Sequence, residues 1–313
     1  MQKLFYVYTI IGIFLVVACA APQVIETSET HRLHFGVMMA LDSFPIFVAE
    51  ERGFFDEEGL SVTLNRFTSA VDRDIAFQAN DNMDGLTLDL VALAMYNEGG
   101  IDKVVLASTI GIAAILGAPE IHNMEDLRGG TVLAARNSAM DYILYTALNR
   151  GGISEDEINF VEIPAVPTRM EMLINRQGEG ALLPEPFKTV AAGRGLNIIT
   201  DTRELDITPF AMTVRRSAVE ENAEALQAFI RALNRAVDYI NAAPREDIIN
   251  LLTETVGFPE ELRYTFEVPI FPQYTNPSAA AINSVFEFAR HRGILTIPLQ
   301  GQDVLINLED PGF

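Results

Sequence analysis

The chain has 313 residues, 49% of them hydrophobic, with 43 Asp and Glu against 22 Lys and Arg, a formal net charge of −21. That acidity excludes nucleic acid as a partner, because nothing here neutralises a phosphate backbone. A single cysteine, Cys19, excludes an intrachain disulfide and a cysteine-rich metal site, and the length exceeds one comfortable core, so two lobes are expected.

The chain opens with Lys3 and an apolar run over residues 4–17, interrupted by Tyr6, Tyr8, Thr9 and Gly12. At about 1.5 Å per residue the run reaches about 21 Å, short of the ~30 Å hydrocarbon core. Extended through Ala21 it also admits a signal anchor. A short positive region, an apolar stretch and small residues at its end describe a secretory signal. Val16-Val17-Ala18-Cys19 is similar to a lipobox, with Val16 where most have Leu, so Cys19 reads as a lipidated membrane tether. The expected division is a signal peptide over residues 1–18, a polar leash over 19–30, one lobe over 31–110 plus 213–313, and a second over 111–212.

Residues 33–37 ("LHFGV") read as a buried strand, and the following helix carries Pro45 in its first turn, where a missing N–H costs nothing. Residues 60–67 alternate as a strand should. Thr68-Ser69 can cap a second helix, residues 83–88 form a third strand, 89–98 a helix and 103–108 a strand. Strands alternating with helices at this spacing predict a parallel sheet with helices on both faces. The pattern restarts at residue 123: strand 131–135, helix 139–150, strand 158–163, a helix opened by Pro167, strand 180–187 leading into a loop, a helix from Lys188, and a strand at 196–200. A strand at 210 leads into a helical tail, with helices over 220–243, 247–255 and 279–292.

Three motifs carry a resemblance to a known family: "FPIFVAEERGFFDEEGLSVTL" (44–64), "RDIAFQANDNMDGLTLDLVALAMYNEGG" (73–100) and "GALLPEPFKTVA" (180–191). The first resembles an opening helix and strand, the second a helix, polar turn and Asp-led helix, and the third a Pro-Glu-Pro-aromatic loop. All are similar to the type II periplasmic-binding-protein family, the solute receptors of ABC importers, in its sulfonate, nitrate and thiamine-pyrimidine branch. The resemblance implies an α/β fold of two lobes, each a mixed, mostly parallel sheet flanked by helices. It implies a ligand in the interlobe cleft, hinge segments near residues 107–113 and 209–214, no catalysis and no cofactor. It also implies an ABC permease and its ATPase as partners of a monomer lipid-anchored on the outer side of a bacterial cell membrane.

Ligand contacts are expected from loops leaving the carboxyl ends of strands. Asp42, Ser43 and Phe44 leave the first strand, and the first two equally suit helix capping. Thr68 and Ser69 leave the second, where helix N–H groups favour a polar acceptor, and Arg73 lies one turn on. Thr87 and Asp89 lie where the third strand meets its helix, and Asp89 also reads as a cap. Asn137, Ser138 and Asp141 open a helix of the second lobe beside Tyr142. Glu185 sits between two prolines that fix its backbone, with Phe187, Phe44 and Phe210 as candidate stacking walls. Arg73 is the only cation in this set, and an oxyanion site wants several donors. The set therefore leans to a nitrogen heterocycle such as a pyrimidine, thiamine precursor or flavin, whose N–H groups a carboxylate accepts. A sulfonate- or nitrate-type anion receptor stays open. So does an enzyme of pyrimidine or menaquinone-precursor biosynthesis on the same fold, although the pyrimidine synthase's cysteine-rich signature has no counterpart here. His31, His34, His122 and His291 show no metal-ligand spacing, and no metal is expected.

Overall fold

The computed structural model describes residues 31–306; Cys19, the expected signal and the leash lie outside them. The first half of the chain runs β1 (His31–Met38), α1 (Phe44–Glu51), α2 (Phe54–Glu57), β2 (Leu60–Phe67), α3 (Ala70–Ala79), β3 (Gly85–Asp89), α4 (Leu90–Glu98) and β4 (Lys103–Ser108). It continues through β5 (Ala113–Gly117), β6 (Thr131–Ala134), α5 (Ala139–Arg150), β7 (Asn159–Glu162), α6 (Val166–Ile174), β8 (Gly180–Pro184), α7 (Phe187–Gly193) and β9 (Asn197–Asp201). After β10 (Phe210–Arg215) come α8 (Arg216–Ala242), α9 (Arg245–Val256) and α10 (Ala279–His291).

These strands form two five-stranded sheets, in the orders β2-β1-β3-β10-β4 and β7-β6-β8-β5-β9. Each is the mixed, mostly parallel sheet expected, with four of its five strands running one way. β1 pairs in parallel with β2 and β3, and β6 with β7 and β8. β10 runs antiparallel between β3 and β4, and β5 antiparallel between β8 and β9. Both antiparallel insertions have one cause. β5 and β10 are the strands that arrive from the other sheet, and each enters against the direction of the strands it joins.

Side-chain caps start three of the helices whose N-termini face the gap between the sheets. Ser69 accepts from the Asp72 amide at α3, Asp89 from Val91 and Ala92 at α4, and Ser138 from Met140 at α5. Each satisfies an N–H that the first helical turn leaves without a partner. The helical tail is seated on the first sheet by aromatic stacking. Phe229 of α8 lies 4.5 Å from Phe35 of β1 and 5.1 Å from Phe55 of α2, ring centre to ring centre and nearly parallel. Such contacts add to the burial of three large rings.

The two connections between the sheets, residues 109–112 and 202–209, run side by side. The Thr109 amide donates to the Phe210 carbonyl at 3.2 Å, the Thr202 amide to Ala113 at 3.0 Å, and the Thr202 hydroxyl to Gly111 at 3.1 Å. Gly111 is required at this crossing because a Cβ there would stand 2.1 Å from the Phe210 ring. Gly111→Ala is therefore expected to displace Phe210 and lower stability by about 1–3 kcal/mol, read as a reduced urea midpoint with an unchanged slope.

Candidate functional site

The carboxyl ends of the parallel strands of both sheets point into one crevice, beside the paired connections. The loop after β1 brings Asp42, the start of α3 brings Arg73, and the β3–α4 junction brings Thr87 and Asp89. From the other side the loop after β6 brings Ser138, the segment after β7 brings Pro164 and Arg169, and the end of β8 brings Glu185. Together they line a cavity of about 240 Å³. Most of its remaining wall is apolar, including Met38, Leu41, Met140, Val166 and Phe210.

Thr87 fixes the first of these loops. Its hydroxyl accepts from the Met38 amide at 3.0 Å and from the Ser43 hydroxyl at 3.2 Å, both groups being fully enclosed. Ser43 thus spends its side chain on Thr87 rather than on capping α1, where it makes no cap bond. Asp42, on the same loop, is pushed up to about 6, chiefly by burial, which its own amide and Arg73 partly offset. Burial likewise raises Asp89, although the amides of Val91 and Ala92, and that of Ala139 across the crevice, work against the shift.

Arg73 is 3% exposed. It donates to the Thr87 carbonyl at 2.9 Å and to Asp74 at 2.8 Å, which holds it between the two lobe-one carboxylates. Glu185 is 6% exposed and raised by burial. Its carboxylate accepts from the Thr189 amide and hydroxyl, at 3.2 and 2.8 Å, with Lys188 3.7 Å away.

Of the residues expected from the sequence, the cavity brings together Asp42, Thr87, Asp89, Ser138 and Glu185, along with Arg73 and Phe210. The others lie elsewhere. Phe44 is fully buried in the core, 6.0 Å from Phe271, so it is no stacking wall. Thr68 is exposed and Ser69 caps α3; the wall passes instead through Ala70. Phe187 packs against the core beneath α7. Asn137, in the left-handed region at φ 54°, donates its amide to Asp141 at 3.1 Å. Asp141 has no exposed side-chain surface and binds the guanidinium of Arg292, beyond the end of α10, at 2.9 Å, with Arg136 at 3.4 Å. Arg292 also reaches Glu155 at 2.5 Å, and the hydroxyls of Tyr142 and Ser284 meet at 3.0 Å. Asp141 and Tyr142 thus tie the second sheet's layer to α10 rather than face the cavity.

One polar residue of the cavity escaped the sequence reading. Arg169, on α6, is 1% exposed, and its Nε and Nη1 have no hydrogen-bond partner among the described residues. Burial alone draws it down to about 10. The signal was present: Arg169 shares the inward face of α6 with Met170 and Leu173, a face where a charged residue is out of place. Arg73 is therefore not the only cation at the site, contrary to the expectation from sequence.

A family model described as the NMT1-like family matches residues 26–253, so the chain belongs to that family. It is similar to the riboflavin-binding protein RibY of Chloroflexus aurantiacus, 22% identical over 316 residues that cover 94% of this chain and 90% of that protein. Among solved structures it resembles the periplasmic aliphatic sulphonate binding protein SsuA from Escherichia coli, with a TM-score of 0.75 at 17% identity over 88% of this chain and 97% of that one. The periplasmic nitrate-binding protein NrtA from Synechocystis PCC 6803 gives a TM-score of 0.70 at 15% identity, over 88% and 86%. These structural likenesses establish the periplasmic-binding-protein fold.

Two outcomes follow from the charges. Arg292→Ala leaves Asp141 buried with Arg136 as its remaining cation, and should cost about 2–4 kcal/mol of stability, measured by thermal or urea unfolding. Asp42 binds its proton more tightly in the folded chain than in the unfolded one. Its contribution is therefore complete below about pH 4 and lost as pH rises through about 6. Relative to Asp42→Asn, the wild type should lose about 2 kcal/mol between pH 4 and pH 7, the full shift being discounted for exposure to the crevice.

Proposed function

We propose that this member of the NMT1-like family is the extracytoplasmic solute receptor of an ABC importer. It captures a small molecule between its two lobes by hinge closure and delivers it to a membrane permease served by an ATPase. One observation carries the reading: a cavity walled by both sheets, at the carboxyl ends of their strands and beside the only two connections between them among the described residues. Open α/β sheets bind ligands at that position, and paired connections suit closure by small backbone rotations. The similarity to RibY, SsuA and NrtA supports a receptor over an enzyme.

In this reading the two lobes are residues 31–110 with 213–313, and 111–212, and Cys19 carries the lipid that tethers a monomer to the membrane. For the ligand we favour a nitrogen heterocycle. Asp42, Asp89 and Glu185 can accept from ring or exocyclic N–H groups, and Met140, Val166 and Phe210 offer apolar faces to a ring. A cavity of about 240 Å³ lies below the usual range for drug-sized ligands, which favours a single ring over a flavin. A second reading, a sulfonate- or nitrate-like anion, is supported by Arg73 and Arg169.

The test is a thermal-shift panel on the intact protein, stripped of bound solute by unfolding and refolding. It spans pyrimidines, thiamine, riboflavin, purines, alkanesulfonates and nitrate. A ligand at a hundredfold its Kd adds about 2.7 kcal/mol, a shift of a few degrees for a chain of this size. One chemical class is expected to produce it. Turnover of any bound member would overturn the receptor reading in favour of an enzyme.

A further inference from the structure

Charged groups in the interior of this protein are almost all accounted for. Arg73 is held by Asp74 and the Thr87 carbonyl, and Arg292 by Asp141 and Glu155. The carboxylates lining the cavity are met as well: Asp89 by two helix amides and Glu185 by Thr189 beside Lys188. Asp42 takes backbone amides at the start of its turn. Two cations keep buried nitrogens without a hydrogen bond among the described residues: Lys103, whose Nζ lies 3.8 Å from the centre of the Phe77 ring and away from the cavity, and Arg169. The Arg169 guanidinium faces the same cavity, almost wholly enclosed, with Nε and Nη1 unmet, and no carboxylate offsets the effect of burial on its charge.

A guanidinium does not shed its proton to escape such a position. Buried charges are otherwise paired or hydrogen-bonded. The missing partner must be an acceptor, preferably an anion, and the space in front of Arg169 is the ligand cavity. Asp42, Asp89 and Glu185 do not supply it, because none of them bonds to Arg169 among the described residues.

We propose that Arg169 anchors an oxyanion carried by the ligand, so that the solute taken up here is a small acid. Its carboxylate, sulfonate or phosphate group lies against Arg169, and its body faces the apolar wall and the lobe-one carboxylates. The proposal rests on reading the cavity as the ligand site, and it selects within that reading. A ring compound without an acidic group leaves Arg169 unpaired and binds weakly, whereas the same ring bearing one binds well. Charge-assisted bonds of this kind are roughly twice as strong as neutral ones.

The test uses matched pairs on the intact, stripped protein: uracil against orotate, nicotinamide against nicotinate, and 2-aminoethanol against taurine. The acid of at least one pair should bind about 10–100-fold more tightly than its neutral counterpart, a margin of one to two factors of 1.4 kcal/mol. Arg169→Gln should remove that preference, and Arg169→Lys should keep part of it. A second measurement needs no ligand. Because Arg169 has no protein partner, stripped Arg169→Gln should melt no lower than stripped wild type.

Neutral compounds binding as tightly as their acids would sink the anchor and leave the receptor reading standing. An acid preference that survives in Arg169→Gln would sink it too. If no pair binds, the ligand-free comparison decides: a clearly lower melting temperature in Arg169→Gln assigns Arg169 to the fold and overturns the proposal.

Discussion

The architecture depends on two strands that belong to the sheet they did not come from. β5 enters the second sheet and β10 returns to the first, and both insert antiparallel in the middle of their new sheet. That exchange brings the two connections together, where Thr109, Thr202 and Gly111 bond one to the other. It also orients both sheets so that their parallel strands end at a common crevice. Every polar residue lining the cavity follows from that placement, because each lies within a few residues of a strand's carboxyl end or in the first turns of the next helix.

The crevice then acquires its chemistry from how the helix ends are satisfied. Asp89 and Ser138 are spent on capping α4 and α5, so they present oxygens that are already polarised by amides. A cap of this kind is a fixed acceptor rather than a free charge. Glu185 is tied down by Thr189 in the same manner. The result is a site rich in acidic residues by composition whose one unmet charge is positive. Sequence composition, with its net charge of −21, points the opposite way, because a count of carboxylates cannot see which ones the backbone has already claimed.

Much of this was legible beforehand for a physical reason. α5 was read to the residue because Ser138 caps it and an apolar periodicity fills it, and β2 because it alternates with β-branched residues. β5 was not read at all. Its sequence, Ala-Ala-Ile-Leu-Gly, is buried on both faces, so it has no alternation, and its alanines carry little strand preference. Missing β5 also concealed the one reversed strand of the second sheet. At the site, residues beside strand ends and caps were found because local chemistry marks them. Asp141 and Phe44 were misplaced because a helix start and an aromatic residue look alike whether they face a cavity or a neighbouring helix. Arg169 was missed because its significance lies in the absence of a partner, which only three-dimensional packing reveals.

In the hinge closure proposed above, the two arginines at the junction of the lobes would divide the work. Arg292 holds Asp141 and Glu155 of the second lobe's helical layer with no ligand involved, so under that proposal the protein itself would supply part of the closing energy. Were that sufficient, a solute would gain nothing by binding and the receptor would stay shut. A ligand shifts an equilibrium only by its differential affinity for the two states. Under the proposed anchor, Arg169 would supply the difference. In a closed crevice its charge is enclosed and unmet, which disfavours closure without a partner, whereas separation of the lobes lets water reach it. An acid in the cavity would remove that penalty only when the lobes come together around it. In the proposed receptor, one clasp that the protein satisfies by itself is thus set against one cation satisfied only by the solute, and the solute decides whether closure is favoured.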